Sequence, residues 1–398
     1  MNPDLARLQP YPFEKLAKIK QGITPPAKLQ HIALSVGEPK HPTPQIISEA
    51  LLEHLHGLGQ YPSTRGIIGL SESIAHWLSN RFDITHDKID PTRHILPVSG
   101  TREALFSFAQ CIIERDNNSL VAMPNPFYQI YEGAALLAGA TPFFINCDEK
   151  NNYLPDYDAI DDSTWQQCQL LYICNPGNPS GATHSAKQLE KLIELAHRFN
   201  FIIAADECYS EIYDEQQAKP LGLLEISDRS GNPDFSRCVV FHSLSKRSNA
   251  PGLRSGFVAG DADILKSYFS YRTYHGCTMP LPTQHASIAA WNDESHVSHN
   301  RELYTQKFTD VMAILANSLD LKKPDAGFYL WAKTPISDIE FAAQLFEQQH
   351  ITVLPGQYLS RDTINGNPGQ NHVRMALVAS VEECREAAHR IKQFIETL

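Results

Sequence analysis

Four segments of the 398-residue chain place groups capable of chemistry directly after a short apolar run. The run His94–Val98 leads into Ser99-Gly100-Thr101-Arg102 and then a helical Glu103-Ala104-Leu105-Phe106. A small glycine-containing turn at a helix N-terminus offers free backbone N–H groups to an anion, although a plain strand-to-helix connection reads the same way. Gln169–Cys174 leads into Asn175-Pro176-Gly177-Asn178-Pro179-Ser180-Gly181. That composition makes a tight turn, or a loop rigid enough to hold Asn178 toward a ligand. Phe201–Ala205 ends at Asp206, with Tyr209 three residues on. An acid there is often only a helix cap. Cys238–His242 ends at Ser243 and Ser245, with Lys246 next and Arg254 farther on. An isolated lysine is a solvated charge, but two cations and two hydroxyls beside a buried strand end suit a phosphate. Turns and caps explain each segment singly and explain the set poorly.

The elements that must position these groups follow from the apolar pattern. The four runs, with Leu120–Met123 and Phe257–Gly260, are short and apolar on both faces, as buried parallel strands require. Between two of them Leu189, Leu192, Ile193, Ala196 and Phe199 recur at helical spacing, with Lys187, Glu190, Lys191, Glu194 and Arg198 opposite. Alternation of this kind predicts an open α/β sheet covered on both sides, with ligands beyond the carboxyl ends of its strands. Farther on, amphipathic helices at Ile339–Gln349 and Val381–Leu398 flank strand-like Phe328–Ala332 and His372–Leu377. They predict a second, smaller α/β unit. The proline-rich start, weakly periodic, reads as an arm. The expected division is an arm and connector over 1–44 packing with the small domain, a large domain over 45–285 and a small C-terminal domain over 286–398.

Composition removes other classes. With 34 basic against 45 acidic residues the net charge is −11, and no Lys/Arg run appears, so a nucleic-acid partner is not expected. No apolar stretch approaches the ~20 residues of a membrane span, and the first residues carry prolines and charges where a signal peptide would be apolar. Eight cysteines, scattered singly without a CxxC pair, read as reduced thiols in a cytoplasmic protein, with no metal site.

The order Asn-Pro-Gly-Asn-Pro-Ser-Gly, Asp-x-x-Tyr, Ser-x-Ser-Lys, Arg-x-Gly resembles that of class I/II aminotransferases of fold type I, which use pyridoxal 5'-phosphate (PLP). The resemblance runs from Ser35-Val36-Gly37-Glu38-Pro39 to Arg374. It implies a large domain with a mostly parallel seven-stranded sheet sandwiched by helices, plus a smaller α/β domain. It further implies that Lys246 forms a Schiff base with PLP in a ping-pong reaction and that Asp206 pairs with the pyridine nitrogen. Tyr209 and Asn178 would bond the phenolic oxygen. Gly100, Thr101 and Arg102, through backbone N–H groups, would hold the phosphate with Ser243, Ser245 and Arg254. Tyr128 would stack on the ring, Phe127 reads as possible core, and Tyr131 as core. Tyr61 would reach the phosphate of a neighbouring subunit, implying a homodimer with shared sites. Gly37, Asn178 and Arg374 would receive the substrate, with Gly37 and Arg374 on its α-carboxylate.

Within the superfamily, the segments 123–134 and 245–254 are most similar to succinyldiaminopimelate aminotransferases of bacterial lysine synthesis, whose amino acceptor is 2-oxoglutarate. Arg7, Lys18, Lys20, Arg65, Arg272 and Lys333 are the cations available to a distal succinyl group. The alternatives are an aminotransferase for aspartate, alanine or an aromatic amino acid, a PLP lyase of the same fold, and a non-enzymatic regulator.

Overall fold

The computed structural model describes residues 1–115, 117–232 and 234–398. A helix, Pro12–Lys20, opens on proline at a position where no N–H is needed and is followed by strand β1 (Ile32–Ala33). The central layer consists of β2 (Ile95–Val98), β3 (Leu120–Asn125), β4 (Thr141–Asn146), β5 (Cys168–Cys174), β6 (Ile202–Asp206), β7 (Cys238–Ser243) and β8 (Gly256–Gly260). They form one sheet in the order β2-β8-β7-β6-β5-β3-β4. Side chains alternate between two buried cores. Leu171, Ile173, Ile203 and Ala205 enter one; Leu170, Tyr172, Ala204 and Val239 enter the other. With both faces covered, no strand needs a polar face, hence the continuous apolar runs. The helix read from leucine spacing spans Ala186–Phe199 and starts with a capping box of Ser185 and Gln188.

Two strands depart from the sequence reading. β8 is antiparallel to both β2 and β7, whereas Phe257–Gly260 is read from sequence as a parallel strand. Between β7 and β8 lie only a short helix, Leu244–Arg247, and a single 3-10 turn, Pro251–Leu253. Without a crossover helix to carry it back across the sheet, the chain returns beside β7. The consequence is chemical: the start of β8 lies at the carboxyl end of β7, so Lys246 and Arg254 share one edge. β4 is not among the strands read from the sequence. It is the sheet's outer strand, half-exposed and with Pro142 near its start, which an edge tolerates.

The C-terminal part adds β9 (Asp320–Leu321), β10 (Tyr329–Lys333), β11 (Ile351–Thr352), β12 (Leu354–Pro355) and β13 (His372–Ala376). Four of these form an antiparallel sheet in the order β12-β13-β10-β9. Helices Asp338–Gln349 and Val381–Ile395 pack on it over a separate core. β11 pairs in parallel with β1, so the proline-rich arm is more regular than its sequence suggests and is zipped to this unit. Among the described residues no helix is long and apolar enough to cross a membrane.

Candidate active site

A cavity of about 530 Å³ opens at the carboxyl edge of the seven-stranded sheet and is closed on its far side by residues of the C-terminal sheet. Each strand end contributes what its turn can present. After β2, helix Thr101–Ile112 begins at Gly100 with no side-chain cap, leaving its first-turn N–H groups free. Gly100 has φ of +86°, which favours glycine, and a Cβ there would displace the Arg254 guanidinium. Ser243 caps the short helix carrying Lys246: its Oγ accepts from Ser245 N at 3.1 Å and donates to Ser245 Oγ at 2.9 Å. Arg254 donates to Pro251 O at 2.8 Å.

Asp206 ends β6, buried within the sheet edge. Burial raises its pKa, opposed by an O–H bond from Tyr131 at 2.7 Å and the Cys208 N–H at 3.3 Å. Among the described residues it has no ion-pair partner. Lys246 donates to the carbonyl of Gly37. Burial lowers its amine to about 8, reinforced by the Arg374 and Arg254 charges. A protein seldom keeps an acid and an amine desolvated and unpaired unless something else is to neutralise them.

Arg374 projects from β13. It donates to Asn178 Oδ1 at 3.0 Å and Ser35 O at 2.8 Å, while its Nε is buried without a partner. The bond to Oδ1 fixes the amide of Asn178 so that its NH2 is the free end. Tyr128 is held by an Arg102 N–H donated to its hydroxyl at 2.7 Å.

The cavity therefore brings together Gly37, Thr101, Arg102, Tyr128, Asn178, Asp206, Tyr209, Ser243, Ser245, Lys246, Arg254 and Arg374, with Gly100 against Arg254. It does not include Tyr61, which is fully exposed at 102%. None of the six cations offered for a distal group lines it; Arg272, for one, is buried against Glu103 at 2.9 Å. Tyr131, read as core, is core and also Asp206's hydrogen-bond donor. Tyr11 and Phe13 of the arm, Cys208 and Tyr329 also line the cavity and were missed. For the arm and Tyr329 no local pattern points to them.

The sequence pattern of a family described as aminotransferase class I and II matches residues 30–391. The LL-diaminopimelate aminotransferase of Maridesulfovibrio salexigens is 30% identical over 395 residues, covering 98% of this chain and 97% of that one. Its counterpart from Aquifex aeolicus is 31% identical over 396 residues, covering 97% and 96%. Among solved structures, an aminotransferase from Neisseria meningitidis superposes with a TM-score of 0.93 at 47% identity, covering 98% and 99%. A probable N-succinyldiaminopimelate aminotransferase from Thermus thermophilus gives 0.82 at 25% identity, covering 96% and 100%.

Proposed function

The chain belongs to the class I and II aminotransferases, whose cofactor is PLP, and on that premise we propose that it transfers the amino group of N-succinyl-LL-2,6-diaminopimelate to 2-oxoglutarate, producing glutamate. What carries the reading is the half-buried amine of Lys246, without an ion-pair partner among the described residues, lining one cavity with the buried acid Asp206 and the carboxylate-ready Arg374. The residues fit the cofactor. Asp206 lacks the cation that a protonated ring nitrogen would supply, and the free helix N-terminus with Ser243, Ser245 and Arg254 suits a phosphate. Tyr128 offers a ring face, and Lys246 the amine that would hold the cofactor covalently.

PLP, when bound, supplies the electron sink that lets an amino acid lose its Cα proton. The chain's own residues do the rest. Asp206 would hold a proton on the ring nitrogen, since opposite charges stabilise each other where water is excluded. Tyr209 and the free amide NH2 of Asn178 would be the donors for the phenolic oxygen. Arg374 receives the α-carboxylate in a planar two-point contact that lysine could not imitate. Lys246 Nζ, its pKa lowered by burial from 10.5 to about 8, is brought closer to neutral pH, and once free of the cofactor it would take the Cα proton and later return it.

The distal half of N-succinyl-LL-2,6-diaminopimelate carries two carboxylates, and the cavity has a cation for one of them. Arg254 serves the phosphate and Arg374 the α-carboxylate, which leaves the Arg102 guanidinium, tied to Tyr128 and Tyr11, for a distal carboxylate. The names of the curated relatives favour a second reading in which free LL-diaminopimelate is the donor. A donor panel with 2-oxoglutarate, read by glutamate formation, decides: turnover of aspartate or alanine with none of either diaminopimelate sinks both readings. Ammonia or pyruvate without glutamate would mean a lyase.

The second subunit enters through Tyr61. It is exposed, as are Leu52, Leu55, Leu58 and Ile68 near it in sequence, and exposed apolar groups of this kind suit a second copy of the chain. Mixing inactive Tyr61→Phe and Lys246→Ala subunits should regenerate activity if the tyrosine serves its neighbour's site; no recovery rejects sharing.

A further inference from the structure

Tyr329 joins three groups that the sequence places far apart. In the C-terminal sheet Trp331 lies opposite Arg374 and Tyr329 opposite Ala376. Tyr329 and Arg374 are therefore diagonal neighbours on one face, a spacing that aromatic and long side chains span. The Arg374 guanidinium sits 4.3 Å from the centroid of the Tyr329 ring. The Tyr329 hydroxyl is 3.1 Å from that of Tyr209, which comes from the turn after β6 of the other sheet. It also occupies the space that a Cβ on residue 37 would need, so Gly37 is bare because Tyr329 is there. The whole side chain is 3% exposed. One residue thus touches Arg374, the Tyr209 hydroxyl, and the backbone whose carbonyl receives Lys246.

The hydroxyl pair has a direction. A phenol has one proton to donate and lone pairs to accept with. If Tyr209 spends its proton on the phenolic oxygen of PLP, its own oxygen is left to accept, and Tyr329 is the donor in reach. A hydroxyl that accepts a hydrogen bond becomes a stronger donor through its own proton. Meanwhile the ring, beneath a cation it attracts, holds the guanidinium plane to one orientation.

We propose that Tyr329 is a positioning residue for the reaction: its ring orients Arg374 for the substrate carboxylate and its hydroxyl donates to Tyr209. This deepens the site reading given above and rests on it.

The test uses purified holoenzyme and four variants: Tyr329→Phe, Tyr329→Leu, Tyr209→Phe and the double Tyr209→Phe/Tyr329→Phe. A donor at the phenolic oxygen favours its anionic form, so weakening Tyr209 raises the pH at which the bound cofactor's visible absorbance titrates. Tyr329→Phe, which keeps the ring, should move that midpoint up by about one pH unit. It should leave the KM for the amino donor within about twofold. Tyr329→Leu should raise that KM about tenfold, and phenylalanine restores it. The double variant should titrate where Tyr209→Phe alone does, because both act through one oxygen. A tyrosine with only a structural role would lower the melting temperature and leave the midpoint alone. An unchanged midpoint in Tyr329→Phe, an unchanged KM in Tyr329→Leu, or additive shifts in the double variant overturns the proposal. Failure of the site reading looks different: wild-type protein then shows no absorbance band that Lys246→Ala abolishes.

Discussion

Asp206, the last residue of β6, and Glu211, five residues on, are both buried, and their surroundings are opposite. Glu211 is held on both oxygens: Arg81 Nε donates to one at 2.6 Å, and an Arg301 N–H donates to the other at 2.6 Å. Burial alone would raise its pKa, but the two guanidinium charges hold the carboxyl below its ordinary range. Arg81 also donates to the carbonyls of Ser210 and Pro220, and both arginines lie against the Tyr213 ring. Among the described residues Asp206 forms no ion pair, and burial raises its pKa. Lys246, at the end of the neighbouring strand, forms none there either, and burial lowers its amine although the Glu38 charge opposes this. The difference teaches how to sort buried charge. A compensated network holds elements together, here helix Ile68–Phe82 and helix Ser295–Leu315 against the segment carrying Tyr209. Uncompensated groups cost stability and persist where a ligand will complete them.

That contrast can be broken at either end. Lys246→Ala should lower turnover by about 10⁴-fold or more, with the fold intact, because it removes both the covalent anchor and the proton carrier; near-normal glutamate formation would erase the distinction. Glu211→Ala strands two buried guanidinium groups and should cost about 3–5 kcal/mol in denaturant unfolding. Any folded fraction should keep kcat within a few-fold, and a stable but inactive variant would place Glu211 in the chemistry instead. Asp206→Asn should slow kcat by about 10²–10³-fold while retaining bound cofactor, as loss of an electrostatic partner does.

The smallest effect is on stability. The Lys246 pKa in the folded chain, about 8, lies below the ordinary 10.5. Below both values the ammonium therefore disfavours folding, and its own share of stability in cofactor-free protein should rise from about pH 8 to about 10.5. With allowance for cavity water, that share is on the order of 2 kcal/mol. Other groups titrate in the same window, Lys307 with the same sign and the buried thiols of Cys147 and Cys168 with the opposite one, so the measurement is the difference between wild type and Lys246→Met. Lys246→Met should be the more stable protein at neutral pH, and the gap should close as pH rises through that window. A gap that does not change with pH would show that the amine is well solvated.

Much of this could be read along the chain. The leucine spacing marked helix Ala186–Phe199, and the apolar runs marked six of the seven central strands within two residues at each end. The polar residues after those runs converged as the open-sheet rule requires. What stayed hidden had no local pattern. The reversal of β8 depends on there being no crossover helix before it. The second role of Tyr131 shows only once Asp206 is set against its hydroxyl. Tyr11 reaches Arg102 only because the arm folds back over the cavity.

Residue type and short-range spacing settled the order of strands and turns, and with them the inventory of acid, amine, hydroxyls and arginines. These signals act within a turn or a strand, where sterics and apolar period dominate. Tertiary structure alone decided which buried charges find partners and which wait, and that Tyr329 meets Tyr209 and Arg374. Such pairings depend on strand register and on two separate sheets meeting across a cavity, and no spacing along the chain encodes them.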